Sequence, residues 1–341
     1  MTGPPRGAAA TAPAPGVSEV APGVLRVTMP LPFALDHVHL WLLQDRDGWT
    51  LVDTGIRDRA TRARWERLET EILGGRPVRR ILCTHHHPDH LGLAAWLAGR
   101  WGAEIWCSQG EWLVARTATL EGPEVAAAET AYYRRAGLPS AQAERLEPQT
   151  HAYRELVAPL PAGHRVVRDG ETIDIGGTEW RVVVGRGHAP EHACLLAPER
   201  SLFLAGDQVL PEISPNVSVW PFDPEDEPLS DFLETLAALR RLPDDLLVLP
   251  SHGPPFRGLH RRLDELALHH RERLDQALAA CAEPRTAWEV MQVLFPMELD
   301  PHQTSFALGE TLAHLRYLTV RGLLSRDRPA GGAPDRYRRH A

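Results

Sequence analysis

Apolar positions along the chain follow two different periods. From residue 24 to residue 53 they come in short runs, broken at Gly23 and at the Asp45-Arg46-Asp47-Gly48 turn, which predicts several strands. Residues 60–73 carry helical spacing. Val78-Arg79-Arg80-Ile81-Leu82-Cys83 predicts a short buried strand, and Leu91-Gly92-Leu93-Ala94-Ala95-Trp96-Leu97 the helix that follows. Residues 109–161, including Tyr132-Tyr133-Arg134-Arg135, have helical character and no strand pattern; they interrupt two strand-rich regions and are expected to cap the mouth of any site between them. Strands return over 166–205 and once more over 246–250. Beyond residue 252 the period becomes helical. Leu259, Leu263, Leu266, His270, Leu274, Leu278 and Cys281 lie on one face of a helix of about six turns. Thr286-Ala287-Trp288-Glu289 is a capping box opening a helix to Leu294, and a third helix runs from Gln303 to Arg321 and ends at Gly322.

The chemistry gathers where the 78–83 strand ends. Thr84-His85-His86-His87-Pro88-Asp89-His90 places four potential ligands, His85, His87, Asp89 and His90, in a strand-to-helix turn. Two imidazoles at i, i+2 can close on one metal while Asp89 and His90 point towards a second, and Asp89 is placed to cap the helix after Pro88. Three later strands run directly into further candidates with glycine beside them: 181–184 into Gly187-His188, 201–205 into Gly206-Asp207, and 246–249 into His252-Gly253.

This arrangement resembles the metallo-β-lactamase superfamily, whose signature is HxHxDH followed by a distant His, Asp and His. The resemblance implies an α/β (α+β) fold, an αββα sandwich. It implies one metal on His85, His87 and His188, another on Asp89, His90 and His252, and Asp207 bridging them. Leu51-Val52-Asp53-Thr54-Gly55 matches the family's LVDTG element, whose Asp53 buttresses the metal loop. Two metals about 3.5–4 Å apart would supply a bridging hydroxide, with Asp89 as the catalytic residue that orients it and relays its proton. His86 is expected to be structural, and His192, within Gly187-His188-Ala189-Pro190-Glu191-His192, is not expected to be a ligand. A glutamate in place of His87 would resemble flavo-diiron proteins, and a cysteine in place of Asp207 the common zinc β-lactamases; the chain has neither. Glyoxalase II-type hydrolases fit better, although many of them open the following helix with two glycines where this chain reads His90-Leu91-Gly92-Leu93. The cofactors implied are two divalent ions, zinc first, with iron or manganese also compatible.

Composition narrows the partners. The formal charge of −8 gives no general attraction to nucleic acid or anionic membrane. All 37 basic residues are arginine, so a lysine Schiff base is excluded. Cys83, Cys107, Cys194 and Cys281 form no CxxC pair and read as reduced core residues of a cytoplasmic protein. The Pro/Ala/Gly-rich residues 1–16 read as a disordered tail without the features of a secretion signal, and no apolar run suffices to cross a bilayer.

The expected organisation is a catalytic unit over 17–255, a small helical module over 256–328 and a flexible tail over 329–341. Three helices followed by Leu323-Leu324 and a Gly-rich, Arg-containing turn suggest a winged helix, and resemble the metallo-β-lactamase-fold proteins that carry such a domain, some of which are ribonucleases. Residues 255–341 hold 13 arginines against 11 acids, a net of +2, while residues 1–254 hold 24 against 34, a net of −10. The third helix offers only Gln303, His314, Arg316 and Arg321 to a phosphate backbone, a thin basic face. Nucleic acid is therefore the weaker expectation, an endoribonuclease acting on single-stranded RNA the alternative function, and packing or a homodimer contact the module's expected role. The leading substrate is a small activated acyl compound, a thioester, ester or lactone. Asn216, Ser218 and Trp220, on the Pro-rich segment after Asp207, are candidate substrate contacts.

Overall fold

A computed structural model describes residues 16–120, 122–143, 146 and 152–340. Its first sheet runs in the order β1 (Val17–Ala21), β2 (Val24–Pro30), β3 (His37–Gln44), β4 (Trp49–Val52), β5 (Val78–Leu82), β6 (Glu104–Cys107), β7 (Arg165–Val166). Pairing is antiparallel through β4 and parallel from there to β7. The second sheet comprises β8 (Thr172–Ile175), β9 (Thr178–Gly185), β10 (His192–Ala197), β11 (Leu202–Gly206) and β12 (Leu247–Pro250), with only the last pair parallel. Trp41, Leu43, Val52 and Leu82 of the first sheet pack against Trp180, Val182, Leu195, Leu204 and Leu249 of the second, forming the central core.

Helices cover both outer faces. On the first sheet lie α1 (Arg59–Glu71), α3 (Ala94–Trp101) and α4 (Gln109–Ala118), contributing Trp65, Leu97 and Trp112. Cys194, Phe203 and Val248 of the second sheet are covered by α7 (Pro228–Leu239) and α8 (Leu259–Ala280), through Leu229, Phe232, Leu236, Leu259, Leu263 and Leu266. The result is the αββα layering that buries both faces of both sheets.

Further helices include α2 (Pro88–Leu91), α5 (Pro123–Ala136), α6 (Ala152–Leu156), α9 (Ala287–Leu294) and α10 (Pro301–Val320); β13 (Leu324–Asp327) and β14 (Arg336–Arg339) form an antiparallel hairpin. In the capping box of α9, Thr286 N donates to Glu289 at 2.8 Å and Glu289 N to Thr286 at 3.2 Å. Helix α10 begins at Pro301, two residues earlier than expected, because Asp300 and Gln303 form a second such box. Among the described residues no helix is long and apolar enough to cross a membrane.

Three local expectations need correction. The helix expected over 91–97 is two helices broken at Gly92 and Leu93. A Cβ on Gly92 would lie 2.2 Å from Pro88 O, 2.6 Å from Leu156 O and 2.7 Å from Gly55 O, so three backbone segments meet there. Asp89 does not cap α2; His87 occupies that position without a side-chain bond, and Asp89 turns elsewhere. The tail expected at 329–341 includes strand β14, anchored by the buried Tyr337 and by Asp335 N donating to Arg135 O at 2.8 Å. An arginine-rich composition hides that one apolar anchor. The N-terminal tail expected over 1–16 lies outside the described residues apart from Gly16, whose carbonyl accepts Thr28 N.

Candidate metal centre

Five strands end at one edge of the sandwich. Asp53 follows β4, His85 to His90 follow β5, His188 follows β9, Asp207 follows β11 and His252 follows β12. Segments at the carboxyl ends of strands have backbone groups free of the ladder, so their side chains can converge.

Asp53 organises the loop. It is buried and holds φ at +62°, unusual for a non-glycine residue, and its Oδ1 accepts Thr84 N at 2.7 Å. Its Oδ2 accepts the Thr84 hydroxyl and His90 Nδ1, both at 2.8 Å. Thr54 N and Oγ1 donate to His90 O at 2.8 and 2.7 Å. Asp53→Asn keeps the shape and tolerates the backbone angle but removes the charge; we expect a roughly 10–100-fold loss of zinc affinity in competition with a chelating dye. Unchanged affinity would remove Asp53 from this role.

The outward nitrogens fix which ring nitrogens face inward. His188 Nδ1 donates to Asn216 O and His252 Nδ1 to His37 O, both at 2.8 Å, and His90 Nδ1 to Asp53. The Thr84 hydroxyl, spent on Asp53, accepts from His85 Nδ1 at 2.9 Å. In the neutral rings each Nε2 therefore carries a lone pair. His85 Nε2 lies 3.2 Å from His188 Nε2 and 2.9 Å from His87 Nδ1. Asp89 Oδ2 lies 3.4 Å from His90 Nε2 and from His252 Nε2; Asp207 Oδ2 lies 3.4 Å from the same two atoms and 3.7 Å from His188 Nε2.

These separations suit a cation. Bonds of about 2.0–2.1 Å at tetrahedral angles put ligand atoms about 3.3 Å apart. The buried atoms His90 Nε2 and Asp207 Oδ1 make no hydrogen bond, as a donor set awaiting a metal would leave them. The structure thus brings together His85, His87 and His188 in one group and Asp89, His90 and His252 in another, with Asp207 beside both.

Charge completes the picture. Burial pushes His85 and His87 well down, keeping them neutral donors. Burial alone would also lower His252, but the Asp207 and Asp89 carboxylates outweigh it and raise the imidazole to about 10; Asp89 and Asp207 similarly hold His90 well above its usual value against burial. Protons therefore occupy these nitrogens at neutral pH when no cation does. Zinc binding to chelated protein at pH 7 should release protons, with affinity rising with pH through neutrality. Calorimetric titration in buffers of different ionisation heat checks this, and equal apparent heats would contradict it.

Two further histidines pack beside these groups. His192 is buried, its ring 4.8 Å from that of His85, and its Nε2 accepts Asp207 N at 3.1 Å. The fit requires Gly206, at φ +55°, where a Cβ would fall 2.5 Å from the His192 ring. His86 turns away: its backbone N and Nδ1 contact Glu111 Oε2 at 2.9 and 2.6 Å, while Glu111 Oε1 accepts Glu191 N at 2.6 Å. Burial alone would raise the Glu111 carboxyl, and these donors hold it below its usual value instead. Tyr153 of α6 adds a 2.6 Å bond to His86 O, so the inserted helices α4 and α6 both grip the loop. Sequence reading misses Glu111 because Ser108-Gln109-Gly110-Glu111 looks like an ordinary capping box; the Ser108 side chain makes no cap, and Glu111 points inward.

The expected substrate contacts face α10. The Ser218 hydroxyl donates to Asn216 Oδ1 at 2.7 Å and contacts Phe306 O at 3.3 Å, Asn216 Nδ2 reaches Phe306 O at 3.5 Å, and Trp220 packs edge-on against Phe306 at 5.6 Å.

A family model described as the metallo-beta-lactamase superfamily matches residues 34–252, which contain every one of these residues except Phe306. The chain belongs to the metallo-β-lactamase superfamily. A second model, the metallo-beta-lactamase-like C-terminal domain, matches residues 274–340. Across the superfamily the chain is similar to a beta-lactamase domain protein from Burkholderia ambifaria, at 43% identity and TM-score 0.89, covering 97% of each chain. It is also similar to a metallo-beta-lactamase family protein from Thermus thermophilus, at 35% identity and TM-score 0.82, covering 94% of this chain and 100% of that one. Among curated relatives, "Probable metallo-hydrolase YqjP" of Bacillus subtilis (strain 168) is 28% identical over 86% of this chain and 92% of its own length. A superfamily member with these His and Asp clusters is a metal-dependent hydrolase that binds divalent metal.

Proposed function

We propose that the chain is a binuclear metallohydrolase acting on activated acyl compounds, namely thioesters, esters or lactones, with two zinc ions as the first choice of metal and iron or manganese as alternatives the donor set accepts. One observation carries the binuclear reading: the Asp207 carboxylate approaches nitrogens of both ligand groups, at 3.4 Å from His90 and His252 and 3.7 Å from His188. In this reading His85, His87 and His188 would hold one ion and Asp89, His90 and His252 the other, with Asp207 shared between the two groups. Such a pair of ions would supply a water of near-neutral pKa and a polarised acyl oxygen.

The protein's own groups do the rest. Asp89, partly open and held well below its usual pKa by His90 and His252 against the effect of burial, stays ionised and is placed to orient a water and take its proton. Asp53, Asn216 O and His37 O keep the ligating rings aligned through the reaction.

The C-terminal module we read as winged-helix-like, from its order of three helices and a hairpin, but its arginines argue against RNA. Arg316, Arg326 and Arg328 are paired with Glu225, Arg321 with Glu227 and Ser230, and His314 is buried. These pairs leave α10 and β13 with little free cation for phosphates, and the exposed Arg336, Arg338 and Arg339 of β14 are a short basic strip.

Thiol release from a panel of acyl thioesters by zinc-loaded protein tests the proposal. We expect turnover of at least one member, reduced about 10²–10⁴-fold in Asp89→Ala. Silence across this panel, and across a parallel panel of esters and lactones, from protein carrying two metals would refute the acyl assignment.

A further inference from the structure

A second set of ligating side chains lies between α8 and α10, apart from the centre. His269 and His270 on α8 and Glu310 on α10 each place a ligand atom within 4.8 Å of the others. His270 is wholly buried, edge-on to Phe232 at 5.3 Å. Behind it stands His314, also wholly buried, whose Nδ1 donates to Glu310 O at 2.7 Å. A carbonyl only accepts, so neutral His314 presents Nε2 as a lone pair, 3.3 Å from His270 Nδ1. That contact fixes the His270 ring in the way outer partners fix metal-bound histidines.

Glu310 reaches this group from α10 as a half-buried side chain. Its carboxylate accepts no hydrogen bond among the described residues. The nearby cation, Arg273, donates from Nη1 to Leu294 O at 2.6 Å and to Gln276 Oε1 at 3.2 Å, with its guanidinium over the Phe295 ring, and forms no ion pair with Glu310. Desolvation by the packed helices pushes this half-buried carboxyl up to about 7. The same burial lowers His270 to about 2 and His314 to about 4, leaving neutral nitrogen donors beside an acid short of positive charge. Two imidazoles and one carboxylate form a zinc-type donor set.

We propose that His269, His270 and Glu310 form a further divalent-cation site of the zinc class, which pins α8 to α10. Ser214 Oγ, 3.4 Å from His270 Nε2, links this site to the segment that follows Asp207.

The test is elemental analysis of zinc-loaded wild type and Glu310→Gln after passage over a chelating resin, with His269→Ala as a second variant. Glu310→Gln preserves side-chain shape, and matched circular dichroism verifies its fold. We expect each variant to hold one zinc per chain fewer than wild type. The difference carries the test, not the total, so a main centre holding one ion in place of two would leave the inference intact. Equal zinc content in wild type and folded Glu310→Gln would overturn it.

Discussion

Asp207→Ala is expected to leave a folded protein that fails to retain two metals and loses nearly all hydrolysis. The carboxylate stands 3.4 Å from His90 and His252 and 3.7 Å from His188, so its removal leaves three imidazole nitrogens without the charge between them. Loss of a partner outside the metal shell costs roughly 10–100-fold, and a carboxylate serving both ions must cost more, so we expect kcat/KM to fall by more than about 100-fold. The fold should survive, because Asp207 contributes no apolar burial and its backbone N keeps its bond to His192. Metal analysis together with kcat/KM decides this. Two metals per chain with full activity would remove Asp207 from the bridging role.

Truncation after residue 255 should do more than silence the site, because the module shares its core with the catalytic layers. Leu259, Leu263 and Leu266 are buried with Phe203, Val248, Phe232 and Leu236, and with Val217 and Val219 of the segment that follows Asp207. Deleting these three leucines bares the apolar surface they cover and forfeits burial worth roughly 5–9 kcal/mol, at about 1.5–3 kcal/mol each, comparable with the whole stability of a typical domain. The truncated chain also loses Phe306 O and Gly309 O, which hold Asn216, Ser218 and Val219 in place and through Asn216 O steady His188. We expect aggregated or non-cooperatively melting protein. A soluble fragment with a sharp thermal transition and wild-type metal content would show the module to be peripheral.

Legibility in the sequence follows locality. The strands, the helices beyond residue 255 and the converging ligands can be read because each rests on a short-range signal: a period, a capping box, or a ligand directly after an apolar run. The break at Gly92 cannot, since it answers to the carbonyls of Leu156 and Gly55, which are distant in sequence. Glu111 is hidden by a local pattern that means something else, and strand β14 by arginines flanking the single buried Tyr337. Asn216 and Ser218 look like pocket residues until α10, some ninety positions on, is seen to take their hydrogen bonds. His270 sits at a core position of an amphipathic helix, and only the approach of Glu310 and His314 from α10 gives it a chemical setting.

The most direct measurement is an anomalous difference map from crystals of zinc-saturated protein, collected at the zinc edge. We expect two peaks at the strand-end cluster, one against His85, His87 and His188 and the other against Asp89, His90 and His252, with Asp207 contacting both. A single peak in that cluster at saturating zinc, or none, would contradict the binuclear account.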